Sequence, residues 1–402
     1  MMSDARLRIL SFSTVYPRPT EPRFGIFVRA RLQKLAVLAD VAVVAPVAPI
    51  EYGSPNQRWF DLSRAPLHRM DDALRVEHPR WFYPPLFGWS HSWWLARCAE
   101  GSFGRLQQEF PFQVIDAHFG HPEASAAFRL ARKFGVPFTV TLRGNETFHA
   151  EDPRKRRRMA EALRAAARVI AVSEPLRDFG IELGVDPKRA VVIPNGIDSA
   201  VFHPRNRSAE RQRLGMVDSE LHILSAGYLI ERKGHHRIVE TLAGLQGHGR
   251  TVRLWIVGDP GAEGDFAAGI RRRVSQCGVQ ASVTFVPAVP ASELACYMSA
   301  CDLFCLATSR EGWPNVVNEA LACGTPVVAT NVGGVPAMIP DPRFGLIVPP
   351  GDSAALGNAL ARAMSMEWDR DAIACQGLSR SWEQVAKEVY EQLRAVTIEN
   401  KL

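Results

Sequence analysis

Residues 309–330 read Ser-Arg-Glu-Gly-Trp-Pro-Asn-Val-Val-Asn-Glu-Ala-Leu-Ala-Cys-Gly-Thr-Pro-Val-Val-Ala-Thr, with two carboxylates, Glu311 and Glu319, bracketing the start of a helical pattern. Pro314 suits a first helical turn, and Gly324 followed by Pro326 is a stop signal. A helix beginning just after Glu311 places Gly312, Trp313, Pro314, Asn315 and Val316 where unpaired amides gather, which is an anion site. Carboxylates accept hydrogen bonds from sugar hydroxyls, while the helix start takes negative charge. The pair therefore suits a ligand with phosphate in the middle and hydroxyls at both ends. Taken singly, Glu311 reads as a solvated loop acid and Glu319 as an ordinary helix residue.

A second phosphate-type signal is Ala226-Gly227-Tyr228-Leu229-Ile230-Glu231-Arg232-Lys233-Gly234, where Arg232 and Lys233 stand beside glycine at a strand-to-helix turn. Its bland counterpart is a surface turn. In the first half, Tyr16–Val28 carries Arg18 and Arg23, two possible partners of an anion, and Gly25, which lets backbone approach a phosphate or an acceptor. Two polar clusters follow later strand-like runs: Asp116-Ala117-His118-Phe119-Gly120-His121 and Thr141-Leu142-Arg143-Gly144-Asn145-Glu146. Residues just past parallel strands face the crevice where ligands bind. His118 and His121 have no third ligand nearby, so no metal is expected.

Twelve strand-like runs alternate with helical patterns. They fall at 7–13, 41–45, 114–117, 138–142, 169–172 and 191–193, then at 221–226, 252–257, 283–286, 303–306, 327–330 and 346–348. Helical spacing runs over 25–38, 123–134, 161–167, 292–300, 315–323 and 354–364. Alternation of this kind means parallel sheets flanked by helices, and twelve strands are too many for one ordinary sheet. Pro204–Ser208 reads as a polar linker, giving an α/β chain of two Rossmann-like domains, 1–204 and 205–378. A final helix, within 379–402, returns to the first domain.

The 402 residues, 47% apolar and 22% charged, suffice for two cores. No run approaches the roughly 20 apolar residues of a spanning helix, and the start does not look like a secretory signal. Seven scattered cysteines without a Cys-x-x-Cys pair read as buried thiols in a reducing, cytoplasmic setting. Residues 1–200 hold 28 Lys and Arg against 21 Asp and Glu, so the excess positive charge lies in the first half. That half is expected to meet phosphate or anionic lipid.

The ordered set of Glu311-x7-Glu319, the Glu-Ala-Leu-Ala-Cys-Gly-Thr-Pro run and Gly333-Gly334-Val335-Pro336 closely resembles the signature of family 4 (group 1) glycosyltransferases of the GT-B fold. Ile193–Asp198, Val257-Gly258-Asp259 and Leu346–Asp352 are similar to further family motifs. The resemblance implies two Rossmann-like domains facing across a cleft and retaining, metal-independent transfer from a UDP- or GDP-linked sugar without a cofactor. It assigns Glu311 to the donor sugar, Glu319 to the ribose, Lys233 to the diphosphate and Gly258 to a sheet end. Tyr228 stands where the family commonly has arginine, and Arg232 is the expected substitute. His118, Arg143 and Glu146 are expected near the sugar and acceptor, with Glu311, His118 and Lys233 as the catalytic set.

Aromatics crowd residues 80–95, and Arg154-Lys155-Arg156-Arg157-Arg158 adds positive charge. Together they suit an anionic membrane surface, on the inner face of the cell membrane, and a glycan or lipid-linked acceptor. No base-stacking module accompanies the run, so nucleic acid is not expected. A dinucleotide oxidoreductase is disfavoured because no Gly-x-Gly-x-x-Gly follows either first strand. A catalytically silent binding subunit of the same fold is the remaining alternative.

Overall fold

The computed structural model describes residues 6–48, 65–82, 84, 87–245, 251–261 and 264–399. The chain divides into two compact units, 1–196 with 382–402, and 197–381.

The first unit holds β1 (Arg8–Phe12), β2 (Asp40–Val44), β3 (His68–Asp71), β4 (Leu74–Glu77), β5 (Val114–His118), β6 (Phe138–Leu142), β7 (Arg168–Ala171) and β8 (Ala190–Val192). They form one sheet in the order β3-β4-β2-β1-β5-β6-β7-β8, parallel except for the β3–β4 hairpin. That hairpin was not among the twelve expected strands. Its outer member, His-Arg-Met-Asp, lies at the sheet edge and buries only Asp71, so no apolar run marks it. β5 and β6 are wholly buried, as parallel strands covered on both faces must be. The helix Ile26–Leu38 buries Val28, Leu32 and Leu35 on the sheet. The final helix, Trp382–Glu399, lays Val385, Val389, Leu393 and Val396 into the same core.

The second unit holds β9 (Leu221–Ala226), β10 (Val252–Val257), β11 (Val283–Val286), β12 (Leu303–Leu306), β13 (Val327–Thr330) and β14 (Gly345–Val348). The order is β11-β10-β9-β12-β13-β14, parallel throughout. Strand order reverses between β9 and β12 here, and between β1 and β5 in the first unit. Ligand crevices of such sheets open at these switch points.

The break falls at Gly196–Ile197, earlier than the expected 204, because the intervening residues belong to the second core. Ile197 N donates to Arg380 O at 3.0 Å, and Phe202 is buried. The expected linker starts a helix, Arg207–Leu214, capped by Asn206, which accepts from Ala209 N at 3.0 Å. Its buried Arg211 pairs with Asp302 at 2.7 Å. Charge pairing, rather than an apolar stripe, anchors that helix. Part of the aromatic segment is helical: a helix runs from His91 to Glu109. Tyr83, Pro85 and Leu86 lie outside the described residues.

Candidate active site

In the second unit, the turns after β9 and β12 meet at the switch point. Lys233 Nζ donates to Glu311 Oε1 at 2.6 Å, and Arg232 Nη1 donates to the same oxygen at 3.2 Å. Thr308 Oγ1 lies 3.2 Å from that oxygen and 3.1 Å from Arg232 O. Arg232 Nη1 also reaches Arg310 O at 3.0 Å, tying the two turns together. All three ionic side chains are largely shielded, with relative exposures of 18%, 13% and 11% for Arg232, Lys233 and Glu311. Gly234 makes this approach possible. Its φ is +76°, and a Cβ there would sit 1.9 Å from Ala307 O.

The helix after Glu311 spans Asn315–Ala322, with Pro314 as its N-cap rather than inside its first turn. The Gly312–Val316 segment thus forms the loop and first turn beside Glu311. Gly312 O accepts from Gly334 N at 2.9 Å, and the Trp313 indole packs on Gly334, where a Cβ would fall 2.2 Å from the ring. Trp313 Nε1 is buried without a partner. The Glu319 carboxylate has no hydrogen-bond partner among the described residues, and burial pushes it up to about 7, opposed in part by the Lys233 charge. Gly258 closes the sheet end, where a Cβ would meet Gly227 O at 1.9 Å. Tyr228 is 42% exposed, with its ring against Gly261.

In the first unit, His118 ends β5 and is fully buried. Arg143 donates to His118 Nδ1 from Nε at 3.2 Å and from Nη2 at 3.0 Å. Its Nε2 lies 3.0 Å from Ser11 Oγ, 3.1 Å from Arg31 Nη2 and 3.3 Å from Asp116 Oδ2. Arg31 ion-pairs with Asp116 and donates to Thr141 Oγ1 at 2.9 Å. Burial first, and the Arg31 charge second, hold the His118 pKa down to about 3. Arg143 also reaches Asn195 Oδ1 at 3.3 Å and lies over the Phe27 ring. Glu146 is buried and accepts from Gly120 N at 3.2 Å, Arg143 N at 3.0 Å and Gly144 N at 2.6 Å. Burial nonetheless raises its pKa.

Other expected first-unit residues sit differently. Arg18 is buried, ion-paired with Glu21 and stacked over Phe24, while Arg23 is exposed. Gly25 has φ +76° and abuts Val15 O, so it shapes the loop after β1. Sequence reasoning missed Arg31, Thr308 and Glu123. Arg31 interrupts the stripe Val28–Leu32–Leu35 on the buried face of its helix, a charge where an apolar residue belongs, and that was its signal. Glu123 is buried at the β1–β5 switch point, where its Oε1 accepts from Thr14 N at 3.2 Å and its Oε2 has no partner. Among the described residues, no three His, Cys, Asp or Glu side chains gather to hold a metal ion. Nor, among the described residues, is any helix long and apolar enough to cross a membrane.

Two Rossmann-type units, each with a polar cluster at its switch point, are the architecture of GT-B glycosyltransferases, and solved structures of that fold superpose on the chain. Sucrose-phosphate synthase from Thermosynechococcus elongatus matches with a TM-score of 0.78 at 22% identity, over 97% of this chain and 100% of that one. Anabaena Alr3699/HepE, solved in complex with UDP, matches with a TM-score of 0.73 at 18% identity, over 97% and 100%. The family model of glycosyl transferases group 1 matches residues 206–380, and that of glycosyltransferase family 4 matches residues 33–201. The chain belongs to the family 4, group 1 glycosyltransferases. It is 27% identical to TuaC of Bacillus subtilis (strain 168), assigned as a teichuronic acid biosynthesis glycosyltransferase, over 97% of this chain and 94% of TuaC. It is 30% identical to the D-inositol 3-phosphate glycosyltransferase of Stackebrandtia nassauensis, over 67% of this chain and 64% of that protein.

Proposed function

We propose that this glycosyltransferase moves a sugar, with retention and without a metal ion, from a UDP- or GDP-linked donor to a glycan or lipid-linked acceptor in cell-surface polysaccharide synthesis. The observation that carries this reading is the convergence of Lys233, Arg232 and Thr308 on Glu311 at the second sheet's switch point. A diphosphate entering there takes Lys233 and Arg232 as its counter-charges, replacing Glu311 in that role. Glu311 is thereby released to orient a sugar hydroxyl, and Glu319 meets the ribose. Fixed cations stabilise the leaving diphosphate as its charge develops and need no reorganisation during the reaction. His118, held neutral and immobile, positions Arg143 for the acceptor side.

The resemblance to TuaC supports a surface-polymer acceptor, and the UDP complex of the Anabaena relative supports a nucleotide donor. Phe82, Phe87 and Trp93 are exposed, and Arg154 and Arg158 lie over the Trp89 ring, which suits a protein resting on the inner face of the membrane. Arg156 and Arg157 are paired with Glu182 and Glu161, so the basic run carries less free charge than its composition suggests.

Thermal unfolding with UDP-, GDP- and ADP-sugars selects the donor, because a ligand of the folded state alone raises stability. Glu311→Ala and Lys233→Ala should each lower turnover by about a hundredfold while leaving the fold intact. Near-normal transfer by both variants overturns the assignment. The departure at Tyr228 favours a second reading, a nucleotide-sugar-binding subunit without transfer. Slow hydrolysis of the donor by the purified chain excludes it.

A further inference from the structure

A surface cavity of about 470 Å³ opens in the helical layer of the first unit, apart from the His118 network. Ser92, Ser125, Arg129, Arg132, Lys133 and Arg158 line it. Ser92 is the second residue of the helix His91–Glu109, and Ser125 is the first of the helix Ser125–Phe134. Their side chains are 1% and 6% exposed, and neither hydroxyl has a hydrogen-bond partner. A buried hydroxyl left without a partner is destabilising unless something fills it.

The charges around these hydroxyls are not balanced from within. Lys133 is paired with Glu100, and Arg158 donates to Trp89 O. Arg129 has no hydrogen bond or ion pair among the described residues. It lies near enough to Arg158 for its charge to add to burial in lowering the Arg158 pKa. The one acid on the rim, Glu161, is engaged by Arg157 at 3.1 Å. Two neighbouring guanidiniums and two hydroxyls lacking partners, against the single lining carboxylate Glu161 that also bears on Arg158, leave an excess of donors suited to an acceptor-rich anion. A guanidinium fork matches the oxygens of a phosphoryl group, and the cavity leaves space for what that group is attached to.

We propose that Arg129, Arg158, Ser92 and Ser125 form a binding site for a phosphoryl group, separate from the donor site and carried either by a free phosphate or by a lipid headgroup. This assignment does not rest on the transfer reading. Two probes test it on the full chain: inorganic phosphate by titration calorimetry, and flotation with phosphatidylcholine vesicles with or without phosphatidic acid. Saturable phosphate binding, weakened about tenfold or more by Arg129→Glu and by the double variant Ser92→Ala/Ser125→Ala, supports a free phosphate ligand. Binding to phosphatidic acid vesicles alone, lost in the same variants, supports a headgroup. The serine double variant should unfold at the wild-type temperature or above it, since it removes only unpaired hydroxyls, and this separates lost binding from lost fold. Failure of both probes, or unchanged binding in both variants, overturns the site. Phosphate binding that is lost in Lys233→Ala and kept in Arg129→Glu does so too.

Discussion

One oxygen of Glu311 receives Lys233, Arg232 and Thr308, and this choice of a single acceptor sets how the residue behaves. The second carboxylate, Glu319, lacks any such partner and holds its proton up to about pH 7 through burial. Ionised, it accepts from both hydroxyls of a ribose; protonated, it loses part of that capacity. Donor KM should therefore rise as pH falls below about 7, and Glu319→Gln should flatten the profile. A wild-type KM independent of pH from about 6 to about 8, roughly a unit either side of that midpoint, would remove the role. Glu123 predicts a stability effect rather than a binding effect. Its carboxyl titrates at about 7 in the fold because burial disfavours the charge, against about 4.3 for a free glutamate. The native state holds more protons across that interval, so this contribution is fully present below about 4.3 and is lost as pH rises through about 7. Glu123→Gln should remove a pH dependence worth a few kcal/mol at most, read from urea midpoints across that range.

The turn after β9 is the element on which the donor site depends. It must bring Lys233 back over the sheet end while Gly234 passes under Ala307 O, with a positive φ and no room for a side chain. Gly234→Ala should displace the turn, lowering both thermal stability and donor affinity, whereas Gly244→Ala, in a helix with open space around it, should change neither appreciably. Equal effects at the two positions would show that the turn is not the constraint. The parallel strands were legible element by element, β6 and β9 to β13 at their observed ends, since short runs rich in β-branched and apolar residues mark them even where a polar residue interrupts. The hairpin β3–β4 and the helix Arg207–Leu214 were not, because edge position and ion pairing with Asp302 hold them without such a run.

At the scale of the molecule, the chain leaves its first unit at Gly196 and returns to it at Trp382. The returning helix completes the first core, with Val389 and Leu393 fully buried. Leu393→Ala should cost about 2–5 kcal/mol, seen as destabilisation of the first unit in hydrogen exchange while amides of β9–β14 keep their protection. Uniform loss of protection across both units would mean that the two unfold together. Motif order and strand periodicity, both local properties, were enough to determine the alternating α/β architecture and the glycosyltransferase family, whereas the pairing of Glu311 with Lys233 and Arg232 came from the fold. Only the tertiary structure decided that His118 is a buried, neutral support rather than an open side chain. It alone brought Arg31 and Thr308 into the two networks and left Arg129, Ser92 and Ser125 without partners. Those outcomes depend on which side chains from distant segments meet in three dimensions and how much water they lose, and neither quantity is written in any single stretch of chain.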